Sequence, residues 1–95
     1  MAQIIRTAAA ERDIYSIVDF IATDNVSAAV SWIEHLDGIL QSLAKSPFIG
    51  EQVDHLGFGI RRYCFGTYLL FYKPLDNGVE LRRVLHGARR IEDLS

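Results

Sequence analysis

The sequence has very little cysteine: Cys64 is the single one in 95 residues. One cysteine cannot form an internal disulfide, so we expect a reducing compartment and a cytoplasmic location. Cys64 lies in an apolar stretch typical of a strand. A small buried hydrophobic residue is therefore a better interpretation of this side chain than a nucleophile.

Long apolar runs and ligand clusters are also missing. No run of about 18 apolar residues occurs, and the N-terminal residues lack a long apolar segment, so we expect neither a membrane span nor an export signal. The sequence contains no Cys/His cluster, no phosphate-binding glycine loop and no Ser/His/Asp pattern. We therefore expect no metal, no cofactor and no direct small-molecule ligand.

The composition is that of a globular protein, with 49% hydrophobic and 23% charged residues, and the length predicts one domain over 1–95. The net charge of −2 hides an asymmetry. Residues 1–55 carry three basic side chains against eight acidic ones, whereas residues 56–95 carry seven against four. This division suggests that the basic half faces an anionic partner, or alternatively that the two halves neutralise each other across the fold.

Two amphipathic helices are predicted in the first half. From Ala8, with Thr7 as N-cap, apolar residues recur at 14, 17, 18 and 21, which is the spacing of one helix face. After a break at 23–25, a second helix carries apolar residues at 29, 33, 36, 40 and 43 and ends at Ser46-Pro47. The short connection predicts an antiparallel helical hairpin.

Strands are predicted on either side of this hairpin. Ile4-Ile5 suits a first strand, and the stretches 60–65, 67–73 and 79–86 are rich in β-branched, aromatic and leucine residues. Asn77-Gly78 favours a β-hairpin, and the apolar run 68–72 predicts a central strand covered on both faces. The predicted fold class is α+β: an N-terminal strand, an antiparallel helical hairpin packed on an antiparallel β-sheet, and a short C-terminal helix over 88–94.

Several short motifs follow one another in a recognisable order. They are Ala28-Ala29 after the helix break, Leu43-Ala44-x-x-Pro47-x-x-Gly50, Ile60-Arg61 at the start of a strand, and Val84-Leu85-His86-Gly87-Ala88-Arg89 at the end of the sheet. In this order they resemble the ParE branch of the ParE/RelE toxin superfamily. The resemblance implies a RelE/ParE-like fold and the toxin component of a type II toxin–antitoxin system.

By this resemblance, the chain would be a non-enzymatic toxin that binds DNA gyrase and forms a hetero-oligomer with a neutralising, ParD-like antitoxin. The target-binding candidates are the basic residues at the end of the last strand: Arg82, Arg83, His86, Arg89 and Arg90. Adjacent residues of a strand alternate, so Arg82 and Arg83 are expected on opposite faces, which excludes one patch that unites both with Arg61 and Arg62. Alternatively, some of these arginines form ion pairs within the fold, with Glu80, Glu92, Asp93 or the acidic first half.

Aromatic side chains on the predicted helices are the candidates for antitoxin binding. The resemblance implies an antitoxin whose disordered tail folds over the toxin and covers apolar surface. Tyr15, Phe20 and Trp32 are the rings that would serve this purpose. The alternative is that these rings belong to the core and to helix contacts.

The alternative function is that of the RelE branch, which cuts mRNA on the ribosome. Cleavage needs a group that activates the ribose 2′-hydroxyl, cations that stabilise the developing charge, and an acid for the leaving oxygen. The candidates are His86, Arg61 and Arg82, with Tyr63, Tyr68 and Tyr72 as further possible parts. This set is incomplete as a catalytic signature, which favours the binding toxin. A third hypothesis is an inactive toxin that only binds antitoxin, indicated by Arg90 where the family has an acid.

Overall fold

The computed structural model describes residues 2–87. Within them, five strands and two α-helices follow the order β1 (Gln3–Arg6), α1 (Ala8–Asp24), α2 (Val26–Lys45), β2 (Glu51–Gln52), β3 (Arg61–Phe65), β4 (Tyr68–Leu75) and β5 (Gly78–His86). A single 3-10 turn, Asp54–Leu56, lies between β2 and β3.

Side-chain caps define where the two helices begin. The Thr7 hydroxyl accepts the backbone N–H of Ala10 at 3.1 Å, as predicted, and the Asn25 side chain accepts that of Ala28 at 3.0 Å. Asn25 is also the C-cap of α1, so one residue joins the two helices. The predicted helical hairpin is therefore confirmed, and α2 packs its buried residues Leu36, Leu40 and Leu43 into the core.

The predicted antiparallel sheet is wrong, because the sheet is mixed. The strand order is β1-β5-β4-β3-β2, and β1 pairs with β5 in parallel, with Gln3 opposite Gly78 and Arg6 opposite Leu81. The other three pairings are antiparallel. A four-residue strand whose partner lies more than seventy residues away carries no sequence signal for the direction of that partner.

The two ends of the predicted sheet need further correction. The short strand β2 falls in the stretch between α2 and β3, for which no strand is predicted. No helix follows β5 within residues 2–87, and the predicted helix over 88–94 lies outside the described residues. The predicted arrangement is replaced by a strand, a helical hairpin and then the four remaining strands.

Each face of the sheet has its own apolar core. The larger core lies between the helices and one face, where Leu70, Tyr72 and Val84 pack against the helical hairpin. The smaller core lies on the opposite face and is formed by Val53, Ile60, Phe71 and Leu85. The prediction that 68–72 is covered on both faces is thus confirmed.

Cys64 does not have the predicted environment. It lies in β3 opposite Leu69 and is exposed. β2 pairs only with Arg61 and Arg62, so Cys64 lies where β3 is the edge of the sheet.

Candidate functional site

The outer edge of β5 is shared between β1 and α1. β1 pairs with β5 only as far as Leu81, and the next backbone groups bind to the start of α1. The Thr7 hydroxyl donates to the Arg82 carbonyl at 2.9 Å, and the Asp13 carboxylate accepts the Val84 N–H at 2.9 Å. These side chains replace the missing strand partner, since an unpaired backbone group at a buried edge is costly.

The Asp13 carboxylate also holds the guanidinium of Arg83. Arg83 Nε donates to Asp13 Oδ2 at 2.7 Å, and its Nη2 donates to Oδ1 at 3.1 Å. The hydrogen bonds that Arg83 donates to Asp13 raise the pKa of Arg83 above its ordinary value. Two-point pairing of this kind fixes the plane of the guanidinium. Arg83 therefore joins β5 to α1, and its charge is compensated within the fold.

A β-bulge changes the predicted positions of the two strand arginines. The pairing of β4 with β5 shifts between Phe71 and Tyr72, which leaves Arg82 without an opposite residue. Leu81 and Val84 both pack in the helix-facing core, and Arg82 and Arg83 are the two residues between them. The simple alternation behind the opposite-face prediction is therefore broken at this point.

Arg82 is also engaged in an ion pair. Its Nε donates to Glu80 Oε1 at 2.5 Å, so the internal-pairing alternative holds for this residue. Of the predicted target-binding set, Arg82 and Arg83 thus bind acids of the fold. Arg89 and Arg90 lie outside the described residues.

His86 lines a cleft between α1 and the end of the sheet. This cleft, which we call the His86 cleft, has a volume of about 270 Å³. The His86 ring meets Tyr68 edge to face, with 5.6 Å between the ring centroids. The lining brings together an imidazole, a phenol ring and a carboxylate at the exposed end of β5, and consists of Asp13, Ser16, Ile17, Phe20, Tyr68, Val84, Leu85 and His86.

Two residues of the nuclease alternative, Arg61 and His86, are not brought together. Arg61 lies opposite Tyr72 on β4, whereas His86 lies opposite Tyr68, so the two are separated by about 13 Å along the strand direction. They also flank β4 on different sides. Arg61 Nη1 instead donates to the carbonyls of Phe48 at 2.9 Å and Gly50 at 2.7 Å.

The three predicted antitoxin-binding rings have different environments. Tyr15 and Phe20 are exposed on α1, at 75% and 73% of their accessible surface. Trp32 is partly buried, stacks on Phe65 at 5.5 Å and meets Tyr68 edge to face. Its indole Nε1 is buried without a hydrogen-bond partner among the described residues. Trp32 therefore has the environment of a core residue, and the exposed surface is formed by the other two.

Tyr72 has a structural role that the sequence pattern does not reveal. Its side chain is fully buried, and its hydroxyl accepts the Gly50 N–H and donates to the Pro47 carbonyl, both at 2.9 Å. A Cβ at position 50 would lie 2.4 Å from that hydroxyl oxygen. The glycine of the Pro47-x-x-Gly50 motif therefore allows this loop to pack directly on the Tyr72 hydroxyl.

We expect that Tyr72→Phe destabilises the chain by about 1–3 kcal/mol, because it leaves the Gly50 N–H and the Pro47 carbonyl without their partner. Burial raises the pKa of Tyr72 above its ordinary value. In the wild type, the neutral phenol thus contributes stability below pH about 10, and this part is lost as the pH rises further and the unfolded chain ionises. Urea unfolding at neutral and alkaline pH measures both effects.

The matched control for this variant is Tyr63→Phe, since the Tyr63 hydroxyl makes no hydrogen bond within residues 2–87. It should change the free energy of unfolding by less than about 0.5 kcal/mol. Equal effects of the two substitutions would contradict the role given to the Tyr72 hydroxyl.

Two kinds of feature are absent from residues 2–87. No group of three or more His, Cys, Asp or Glu side chains could hold a metal ion. No helix in this part of the chain is long and apolar enough to cross a membrane.

The fold agrees with that of toxin–antitoxin structures. A chain of the chromosomal ParDE TA system from P. aeruginosa superposes with a TM-score of 0.72, covers 90% of this chain and 96% of its own length, and is 13% identical. At this identity the likeness concerns the fold alone. No curated protein matches the chain by sequence.

The family follows from the sequence as a whole. The model of the family described as "ParE toxin of type II toxin-antitoxin system, parDE" matches residues 4–91. This match covers both helices, strands β2 to β5 and all of β1 except Gln3. The chain therefore belongs to the ParE toxin family, as its motifs predict.

Proposed function

We propose that this chain inhibits DNA gyrase and is neutralised by a ParD-like antitoxin with which it forms a hetero-oligomer. The observation that carries the proposal is the family match over residues 4–91. A cytoplasmic location belongs to the same proposal, since gyrase acts on DNA inside the cell. Action by binding rather than by cleavage is part of the same proposal, and the separation of Arg61 from His86 along the sheet supports it.

The target-binding part of this proposal concerns the end of β5. His86 is exposed and lines the His86 cleft, Arg83 pairs with the Asp13 carboxylate of that lining, and Arg82 pairs with Glu80. Arg89 and Arg90 complete the proposed set. A guanidinium that is already oriented by an acid loses less conformational entropy when it contacts a target.

Antitoxin binding is proposed for the exposed rings of α1. Tyr15 and Phe20 present aromatic surface on the helical hairpin, and an antitoxin segment that folds on binding would bury it. Trp32, the third ring of the proposed set, is partly buried against Phe65 and Tyr68 and would present less surface to the antitoxin.

Gyrase and translation assays test the proposed activity. The purified full chain should inhibit gyrase supercoiling and leave translated mRNA intact. His86→Gln keeps a polar side chain, so inhibition should change by less than about tenfold, whereas loss of a general base would lower cleavage by about 10²–10⁴. The matched control is His55→Gln, at an exposed histidine of the 3-10 turn.

Cleavage of mRNA at the ribosomal A site with normal supercoiling would contradict the gyrase proposal and favour the nuclease. Supercoiling that stays normal while mRNA also stays intact would contradict both and favour the inactive, antitoxin-binding form. The cheapest check is genetic: a small upstream reading frame with a ribbon-helix-helix start and an acidic tail would identify the antitoxin.

A further inference from the structure

A second cleft lies at the other end of the sheet from His86, and we propose that it binds an acidic, extended segment of a partner protein through an apolar anchor side chain. We call it the Lys73 cleft. Its volume is about 220 Å³, and it is separated from His86 by about 17 Å along β4. Its lining comes from the loop after α2 and from the start of β3 and the end of β4: Phe48, Gln52, Asp54, Gly59, Ile60, Arg61, Lys73 and Pro74.

The two cations of this cleft, Arg61 and Lys73, form no ion pair within residues 2–87. Among the eight basic residues of 2–87, four form ion pairs, with partners Asp37, Glu51, Glu80 and Asp13. The basic residues without an ion pair in this part of the chain are Arg12, Lys45, Arg61 and Lys73. Two of those four line one small cleft. A carboxylate-bearing segment is the partner that such a pair of cations attracts.

The two cations are presented in different ways. Arg61 is fixed, because its Nη1 donates to two backbone carbonyls, which orient the guanidinium without cancelling its charge. Lys73 lies opposite Glu80, but the Glu80 carboxylate is bound to Arg82 at 2.5 Å. The stem of Lys73 instead passes over Gly59, where an added Cβ would lie 3.3 Å from its Cε. One cation is thus oriented in advance, and the other can adjust to a ligand.

Apolar side chains stand beside these charges. Phe48 lines the cleft and is 68% exposed, although the Arg61 guanidinium lies 5.1 Å from its ring centroid. The neighbouring Ile49 is 65% exposed, and Phe58, next to the lining residue Gly59, is 85% exposed. Side chains that are this exposed bury little apolar surface within the fold, whereas an apolar group of a partner would bury them.

The loop that carries Phe48 is held rigidly. Gly50 makes hydrogen bonds through both of its backbone groups. Its N–H donates to the Tyr72 hydroxyl, and its carbonyl accepts from Arg61 at 2.7 Å. Pro47 is fixed through its carbonyl by the same Tyr72 hydroxyl. A preformed site of this kind loses less entropy on binding than a mobile loop would.

The charge balance favours an acidic protein segment over nucleic acid. The whole chain has a net charge of −2, whereas surfaces that bind a phosphate backbone are strongly basic. Asp54 belongs to the lining and points one carboxylate oxygen at the Gly59 N–H, 3.1 Å away. Two cations next to one fixed carboxylate suit a ligand segment that carries a few spaced carboxylates with an apolar residue between them.

Peptide binding to the full chain tests the proposal. The probe is a fluorescein-labelled peptide with glutamates on both sides of a central tryptophan, and the comparison is its glutamine analogue. Anisotropy titrations should give a Kd at least about tenfold weaker for the glutamine analogue, and about tenfold weaker for the acidic peptide on Lys73→Gln, since a charge-assisted contact is lost. Phe58→Ser should weaken binding by a similar factor.

The matched control is Lys45→Gln, which removes the same charge from an unpaired lysine at the end of α2. It should leave the affinity unchanged within about twofold. Equal binding of the acidic and glutamine peptides, or equal weakening by Lys45→Gln and Lys73→Gln, would overturn the proposal. Tighter binding of a labelled oligothymidine, with the same dependence on Lys73, would also overturn it and assign the cleft to single-stranded nucleic acid. None of these outcomes depends on gyrase inhibition.

Discussion

Gly78→Ala is expected to destabilise this chain by about 3 kcal/mol or more and to detach β1 from the sheet. Gly78 is the first residue of β5 and lies opposite Gln3 in the parallel pairing. A Cβ built on Gly78 would lie 1.8 Å from the carbonyl oxygen of Gln3 and 2.6 Å from its carbonyl carbon. These atoms belong to the backbone, so no side-chain rotation relieves the overlap, and β1 must move.

Equilibrium urea unfolding measures the loss of stability, and amide hydrogen exchange in β1 shows whether the strand has left the sheet. Gly38→Ala is the matched control, because Gly38 lies within α2 and an added Cβ would have no neighbour within 4 Å. This control should instead stabilise the chain by up to about 1 kcal/mol through helix propensity. If both substitutions changed stability by the same amount, the close approach of β1 to Gly78 would be disproved.

The local elements of this fold can be read from the sequence because their signals are local. The caps at Thr7 and Asn25 and the turn before Gly78 each depend on residues within a few positions of one another. The parallel direction of β1 depends instead on a partner strand about seventy-five residues away. The bulge at Arg82 depends on two strands at once, so alternation within β5 could not predict it.

Among the functional candidates, too, local properties can be predicted and distant partners cannot. Composition predicts a basic second half, but it does not identify the acid that each arginine meets. Two of the four ion pairs of residues 2–87, Arg83–Asp13 and Arg62–Glu51, join the two halves of the chain. The neutralisation alternative therefore holds for those arginines. Within residues 56–87, the basic side chains without an ion pair are Arg61 and Lys73, which the end of the sheet brings together from different strands.

The aromatic residues show why the burial of a side chain is harder to predict than the helix or strand that carries it. Tyr15, Phe20 and Trp32 occupy comparable positions in two amphipathic patterns, yet only the first two are exposed. Trp32 packs against Phe65 and Tyr68. These two rings lie on strands, so the apolar pattern of the helix gives no sign of them. Tyr72 lies between Phe71 and Lys73 at the end of the apolar run of β4, and nothing local marks it as fully buried. Its function depends on a loop that begins twenty-five residues earlier.

The second large effect is expected at Asp13. Asp13→Ala should cost about 3 kcal/mol, because it removes the acceptor of the buried Val84 N–H and leaves the Arg83 guanidinium without its counter-charge. Arg83→Gln should cost less, about 1 kcal/mol, since its side chain is 31% exposed and water can replace part of the interaction. The double variant should then be no less stable than Asp13→Ala alone, because it no longer contains the Arg83 guanidinium that Asp13→Ala leaves without a counter-charge.

A double-mutant cycle by urea unfolding measures this coupling, with Arg82→Gln as the matched control. Arg82 pairs with Glu80 two residues away on the same strand, so its loss should change stability by less than about 1 kcal/mol. Additive effects of the Asp13 and Arg83 substitutions would contradict the pairing. A small effect of Asp13→Ala would mean that the edge of β5 beyond Leu81 does not depend on α1. The coupling bears on the proposed target surface as well, because the Asp13 carboxylate holds Arg83 and lines the cleft that contains His86.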